Sequence, residues 1–147
     1  MLKLYLDTSV YCGYFDEEFE EITQTFFQRI FENEFKIITS NLTDQEMMNA
    51  PKRVIELYNS IQNPLIINVD NDKKVIDLAE KYIENKVVGL TSLTDCGHIA
   101  AASINNADIL VSWNFKHIVN VVRIVGYNNI NKMEGYKNLE IRSPREI

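Results

Sequence analysis

Apolar and polar positions alternate along this chain with two different periods, and the period switches repeatedly. In Leu2–Leu6, Leu2, Leu4 and Leu6 fall on one side and Lys3 and Tyr5 on the other, the two-residue period of a strand that ends at Asp7. From Phe19 to Phe31 the residues Phe19, Ile22, Phe26, Ile30 and Phe31 recur at helical spacing, with Glu20, Glu21, Gln24 and Gln28 between them, which predicts an amphipathic helix. Phe35–Thr39 is short and β-branched and predicts a second strand. Thr43 stands three residues before Glu46 in the pattern of a capping box, so a short helix is expected to begin there and stop before Pro51. A further helix follows, with Pro51 in its first turn and Val54, Ile55, Leu57, Tyr58 and Ile61 as apolar positions.

The second half continues in the same way. Leu65–Val69 predicts a third strand, and Asp72 to about Asn85 a helix with Val75, Ile76, Ala79, Tyr82 and Ile83 inward. Thr91 to about Asn105 predicts a helix capped by Thr91 or Ser92, its Ile99–Ala102 stretch small enough to lie close on a sheet. Asp108–Trp113 is nearly all apolar, as a central parallel strand buried on both faces would be. Another helix is expected after Asn114, through Val119 and Ile124, and a last strand around Leu139–Arg142. Strands alternating with helices predict an α/β fold, a three-layer sandwich with a mostly parallel central sheet. Phe26, Phe27, Phe31 and Tyr58 read as core or dimer contacts.

Composition sets the scale. With 147 residues, 46% of them hydrophobic, the chain fits one domain spanning 1–147, and three prolines and five glycines are too few for a disordered chain. A formal net charge of −6 argues against holding nucleic acid by phosphate neutralisation alone, so a nucleic-acid role needs a local site or a bound cation. Cys12 and Cys96 form no CxxC pair and suggest neither a disulfide framework nor a zinc site, which fits a reducing cytoplasm. No export signal or membrane span is expected, because the first apolar stretch is cut at Asp7 and no apolar run approaches about 20 residues.

In an open parallel sheet, ligands collect beyond the carboxyl ends of the strands. Asp7 follows the first strand, Glu46 lies past the second, Asp95 opens a helix, and Asn114 directly follows the buried strand. Three carboxylates brought together repel one another and call for a cation, and oxygen-only ligands favour hard Mg²⁺ or Mn²⁺. Such an ion can make a water nucleophile for phosphodiester hydrolysis.

Four segments carry a family resemblance: Leu4–Ser9, Asn41–Glu46, Thr94–Ala102 and Ala107–Ile118. In order and position they resemble the motifs of PIN domains, in particular the VapC-like branch, whose members are commonly toxin ribonucleases of type II toxin–antitoxin pairs. The resemblance runs from residue 1 to about 125. It implies a metal-dependent endoribonuclease in which Asp7, Glu46 and Asp95 bind Mg²⁺ or Mn²⁺ and Ser9 supports the first acid or a water. The usual fourth acid is Asn114 here, which keeps one carbonyl oxygen for a metal or a water but lacks the negative charge. The Trp113–His117 wording looks like a recurring variant among PIN-like sequences. Implied partners are an RNA substrate, a small antitoxin covering the acidic cleft, and a second copy in a homodimer.

Each residue also has a plainer reading. Asp7 can cap a turn, Glu46 can pair with Thr43 in the capping box, Asp95 can favour a helix N-terminus, and Asn114 can be a turn or N-cap residue. Asp44 is close enough to Glu46 to be an alternative ligand, whereas Asp108 reads as a solvated loop residue. His98, one turn after Asp95, can sit above the site or be a core histidine. Lys116 and His117 can touch a phosphate or simply open a solvated helix, and Ser112 and Asn120 are weaker candidates of the same kind. Two functional classes stand beside the ribonuclease: a catalytically silent PIN-like module that binds RNA or protein, and a phosphohydrolase acting on a small molecule.

Overall fold

The computed structural model describes residues 1–61, 66–89 and 92–147. Five strands, β1 (Leu2–Leu6), β2 (Phe35–Ser40), β3 (Ile66–Val69), β4 (Ile109–Val111) and β5 (Glu140–Arg142), pair in the order β3-β2-β1-β4-β5. Every pairing is parallel. The chain winds outward from β1 through β2 to β3, then returns to the other side of β1 as β4 and ends at β5. The winding direction therefore reverses between β1 and β4, which opens a crevice above their carboxyl ends.

The two-residue period of the strands decides what each side of the sheet receives. On one side Leu4, Leu6, Phe35, Ile37, Ile109 and Val111 meet four helices: α1 (Thr8–Gly13), α2 (Glu20–Phe31), α3 (Asn41–Met47) and α4 (Lys52–Ser60). Those helices contribute Val10, Tyr11, Phe26, Phe27, Ile30, Met47, Val54 and Leu57. On the other side Tyr5, Ile38, Leu110 and Ile141 meet α5 (Lys73–Glu84), α6 (Leu93–Ile104) and α7 (Val121–Met133). This is the three-layer α/β arrangement that alternating strand and helix patterns predict.

Helix α6 is buried without a break from Cys96 to Ser103, the mark of a helix enclosed by neighbours rather than laid on a surface. Its small residues permit this. A Cβ on Gly97 would stand 2.5 Å from Leu42 Cδ1, so α3 approaches α6 this closely only because position 97 lacks a side chain. Gly13 plays the same part beneath Trp113, whose indole Cδ1 and Nε1 would lie 2.7 Å from an added Cβ.

The structure corrects several expectations. α1 directly after Asp7 was not anticipated, because six residues are too few to show a helical period. α3 starts at Asn41 behind Ser40, two residues before Thr43, which lies buried inside the helix. No capping box forms, since Glu46 turns to other partners described below. In α5 Val75, Ala79 and Tyr82 face inward as expected, but Leu78 takes the remaining inward place and Ile76 is 46% exposed, a modest rotation of the apolar face. Asn114–Val119 form turns, and α7 begins only at Val121, with the Asn120 side chain accepting from Arg123 N. Phe26 and Phe27 are core, but Phe31 is 45% exposed. A closing 3-10 turn, Pro144–Glu146, had no sequence signal assigned. The expected strand start at Leu65 and cap at Thr91 lie outside the described residues.

Gly13→Ala is expected to destabilise the fold by about 1–3 kcal/mol in urea denaturation, because the Trp113 ring above it is buried and hydrogen-bonded to Thr23. Gly97→Ala is expected to cost less, because the methyl end of Leu42 can rotate and alanine favours the helix.

Candidate functional site

Asp7 leaves the end of β1, its backbone N–H bonded to Val111 O of β4 at 3.0 Å, so it stands at the reversal point of the sheet. It occupies the N-cap position of α1, yet its side chain makes no capping bond. Instead Oδ2 accepts from Ser9 Oγ at 2.7 Å and from Ser112 Oγ at 2.9 Å. These hydroxyls fix the loop after β4 as well: Ser9 Oγ accepts from Trp113 N, and Ser112 Oγ accepts from Asn114 N, both at 2.9 Å. Asp7 is thus 5% exposed and tied to two strand ends by two serines.

Glu46 comes from α3 and faces α1 and α6. Its Oε1 accepts from Thr8 Oγ1 at 3.0 Å and from Nε2–H of His98. His98 is fully buried, and its Nδ1 shares a 2.6 Å hydrogen bond with the Tyr5 hydroxyl, which in turn bonds Ser40 Oγ at 2.7 Å. The chain Ser40–Tyr5–His98–Glu46–Thr8 runs from the buried carboxyl end of β2 to the part-buried Glu46 and Thr8. His98 Nε2 also lies 3.7 Å from Asp7 Oδ1, so one imidazole addresses two acids.

Asp95, in the first turn of α6, is half-buried and accepts at Oδ2 from Asn114 Nδ2 at 3.3 Å. The Asn114 carbonyl oxygen is turned the other way, accepting from the backbone N–H groups of Lys116 and His117 at 3.2 and 3.0 Å. In this arrangement Asn114 offers Asp95 a donor rather than presenting an oxygen beside it. Lys116 is exposed; His117 is partly buried, and its Nδ1 has no hydrogen-bond partner among the described residues.

The electrostatics follow from this geometry. Burial, and after it the charge of Asp7, pushes the Asp95 carboxyl above the ordinary range against the pull of His117, His98 and Asn114. Burial also acts to raise Glu46, but the hydrogen bond and charge of His98 outweigh it and hold the carboxyl below the ordinary range. For His98 burial works downward, and the bond to Glu46 with the charges of Asp7, Glu46 and Asp95 overcomes it, so the imidazole is raised.

Among the described residues, no three His, Cys, Asp or Glu side chains already stand around one point as the ligands of a metal do. The donor chemistry nevertheless suits a hard cation. Asp7 Oδ1, Glu46 Oε2 and Asp95 Oδ1 accept no hydrogen bond from the described residues, each acid being held through its other oxygen. Repulsion between Asp7 and Asp95 is the kind of strain a cation relieves.

Asp7, Ser9, Glu46, Asp95, His98 and Asn114 are brought together in this way, with Lys116 and His117 at the rim. Asp44 is drawn off to the Tyr58 hydroxyl, and Asp108 accepts from Lys3 N at 2.7 Å at the opposite end of β1. The sequence carries no direct signal of a role for Thr8, Tyr5 or Ser40, and only a weak one for Ser112. Thr8 and Ser40 flank the acidic motifs, which is an indirect signal for them; Tyr5 reads from sequence only as an alternating strand position on the side opposite Leu4 and Leu6.

No protein-family model matches the sequence, and no curated protein matches it significantly. Solved structures do. The chain is similar to one from the crystal structure of VapBC2 from Rickettsia felis bound to a promoter DNA fragment, with a TM-score of 0.59, 15% identity, and 97% and 98% of the two chains covered. It is also similar to one from DNA-bound VapBC of Salmonella typhimurium, with a TM-score of 0.52, 18% identity, and 98% and 99% covered. At these identities the likeness is one of fold, and the fold is PIN-like. No helix among the described residues is long and apolar enough to cross a membrane.

The signs of the shifts predict the pH dependence of the metal-free protein. Glu46 contributes stability above its ordinary value, lost as pH falls through its lowered one; His98 contributes below its ordinary value, lost as pH rises through its raised one. Asp95, raised like His98 but in the acid range, has the opposite sign to Glu46 and flattens the acid limb. Stability in urea is expected to be greatest at roughly pH 4.5–6.5 and to decline on the alkaline side. That decline should disappear in His98→Gln; a decline of the same size in the variant would contradict the pairing.

Proposed function

We propose that the chain is a VapC-like PIN-domain endoribonuclease, dependent on Mg²⁺ or Mn²⁺ and acting as the toxin of a type II toxin–antitoxin pair. The observation that carries this reading is the meeting of Asp7, Glu46 and Asp95 at the reversal point of the parallel sheet, each with one oxygen free of hydrogen bonds from the described residues. The whole-length likeness to chains of two VapBC complexes supports it. Those proteins are complexes bound to DNA; for this chain we take the partner to be a small antitoxin lying over the acidic cleft, with a homodimer and a cytoplasmic location.

Asp7, Glu46 and Asp95 would hold the cation, which when bound supplies Lewis-acid polarisation of a phosphate and acidifies a water. The reaction is hydrolysis of one P–O bond, hydroxide going to phosphorus and a proton to the leaving oxygen. The chain's own residues prepare the site. Ser9 and Ser112 hold Asp7 by Oδ2 and leave Oδ1 facing the His98 imidazole at 3.7 Å without a hydrogen bond from the described residues. His98 keeps Glu46 ionised in spite of its burial, and Asn114 steadies Asp95. Lys116, exposed beside Asn114, is placed to meet the phosphate backbone that an acidic surface alone would repel.

A second reading, a PIN-like module that binds without cutting, is favoured by one observation: the Asn114 carbonyl is committed to the Lys116 and His117 amides. The two readings separate on cleavage. Asp7→Asn and Asp95→Asn are expected to lower metal-dependent cleavage of a mixed RNA pool by roughly 100-fold or more, with circular dichroism unchanged. Variants that cut like wild type would refute the site. A wild type that cuts no RNA yet binds a partner would favour the silent module, and cleavage of small phosphoesters alone would favour a small-molecule phosphohydrolase. Asn114→Asp, by restoring a negative charge, is expected to tighten Mn²⁺ binding about threefold to tenfold in calorimetry.

A further inference from the structure

The loop that carries Ser112 and Asn114 into the site also carries Trp113 and Phe115. Trp113 is buried and stacks on Phe19, with ring centroids 4.2 Å apart and planes 18° from parallel. Phe115 closes the group, 6.0 Å from Trp113 and 6.4 Å from Phe19, but is itself 48% exposed. The Arg145 guanidinium lies over the Trp113 ring at 5.9 Å, and Arg145 and Lys116 are both exposed. Phe115 directly follows Asn114, and Lys116 and Arg145 set two exposed cations among the acids Asp16, Glu17, Glu18, Glu20 and Glu21 that flank Phe19 in sequence.

We propose that Phe115, backed by Phe19 and Trp113, is a stacking platform for one base of a single-stranded RNA whose scissile phosphate lies at the Asp7–Asp95 centre. The inference rests on the ribonuclease reading and deepens it by assigning a base subsite. Every base has a π-face, so an aromatic shelf binds single strands with little sequence preference, and cations at its rim meet the flanking phosphates. The backing ring is fixed, because Trp113 is pinned by Nε1–H donation to Thr23 Oγ1 at 2.9 Å and by its own N–H to Ser9 Oγ. Asn114 connects it to the acids with no intervening segment. In the proposed complex the stacked base and the phosphate at the acidic centre are neighbours along one strand.

The test uses the full chain, with Phe115→Ala, Phe115→Leu and Phe115→Tyr beside wild type. Binding of a short fluorescein-labelled single-stranded RNA of mixed sequence is read by anisotropy in EDTA, and KM and kcat for its cleavage are read in Mn²⁺. Ala and Leu are expected to weaken binding roughly fivefold to 100-fold and to raise KM with little change in kcat; Tyr, which keeps the ring, is expected to match wild type. Full binding by Leu with weak binding by Ala would overturn the platform in favour of an apolar dock for a protein segment. Cleavage and binding indifferent to Phe115 would overturn the platform and leave the ribonuclease standing. Ring-dependent binding without cleavage would sustain the platform and remove the ribonuclease, and a wild type that neither binds nor cuts RNA would overturn both.

Discussion

Mutual repulsion among carboxylates at the mouth of a parallel sheet is the constraint on which this structure turns. Asp7 is nearly buried, Asp95 is half-buried near it, and burial raises the cost of each charge as well as the repulsion between them. Two polar networks meet that cost. Serine hydroxyls from α1 and from the loop after β4 satisfy Asp7, while His98, held by Tyr5 of β1, satisfies Glu46 and faces Asp7. An imidazole held between acids stands where a positive charge is needed, so the metal-free protein carries part of its own compensation. The remaining carboxylate oxygens point to a need that protein groups alone do not fill.

Packing makes these networks possible. Glu46 meets His98 because α3 and α6 come close, and they come close because Gly97 leaves room for Leu42. Trp113 holds the loop after β4 in place because Gly13 leaves room for its ring. Each glycine thereby sets the position of a polar residue some distance away, Glu46 in one case and Asn114 in the other. The alternating inward residues of β1, β2 and β4 anchor both layers against a single sheet, so the loops that carry the acids leave a stiff support.

Much of this was legible in the sequence. The strand at Leu2–Leu6, the helix ending at Phe31 and the buried strand before Trp113 follow from period and burial pattern alone, and the strand–helix alternation led to the parallel sheet and to its carboxyl edge. Short elements were not legible: α1 has too few residues to show a period, and its position decides where Thr8 and Ser9 point. The capping box at Thr43 and Glu46 was a false lead, because tertiary partners for Glu46 outcompete a local bond and Ser40 takes the cap position instead. The orientation of the Asn114 amide could not be read from composition either. It depends on a turn at Lys116 and His117 that draws the carbonyl away from Asp95.

We propose that Asp7, Glu46 and Asp95 form one cation site whose charge the fold balances only in part. Calorimetric titration of Mn²⁺ into the metal-free full chain tests this most directly, with Asp7→Asn, Glu46→Gln and Asp95→Asn compared with wild type. Saturable binding by wild type and weaker binding in each of the three variants are expected, because each substitution removes a charge from the same site. Binding of equal strength in all four proteins, or none in the wild type, would contradict it.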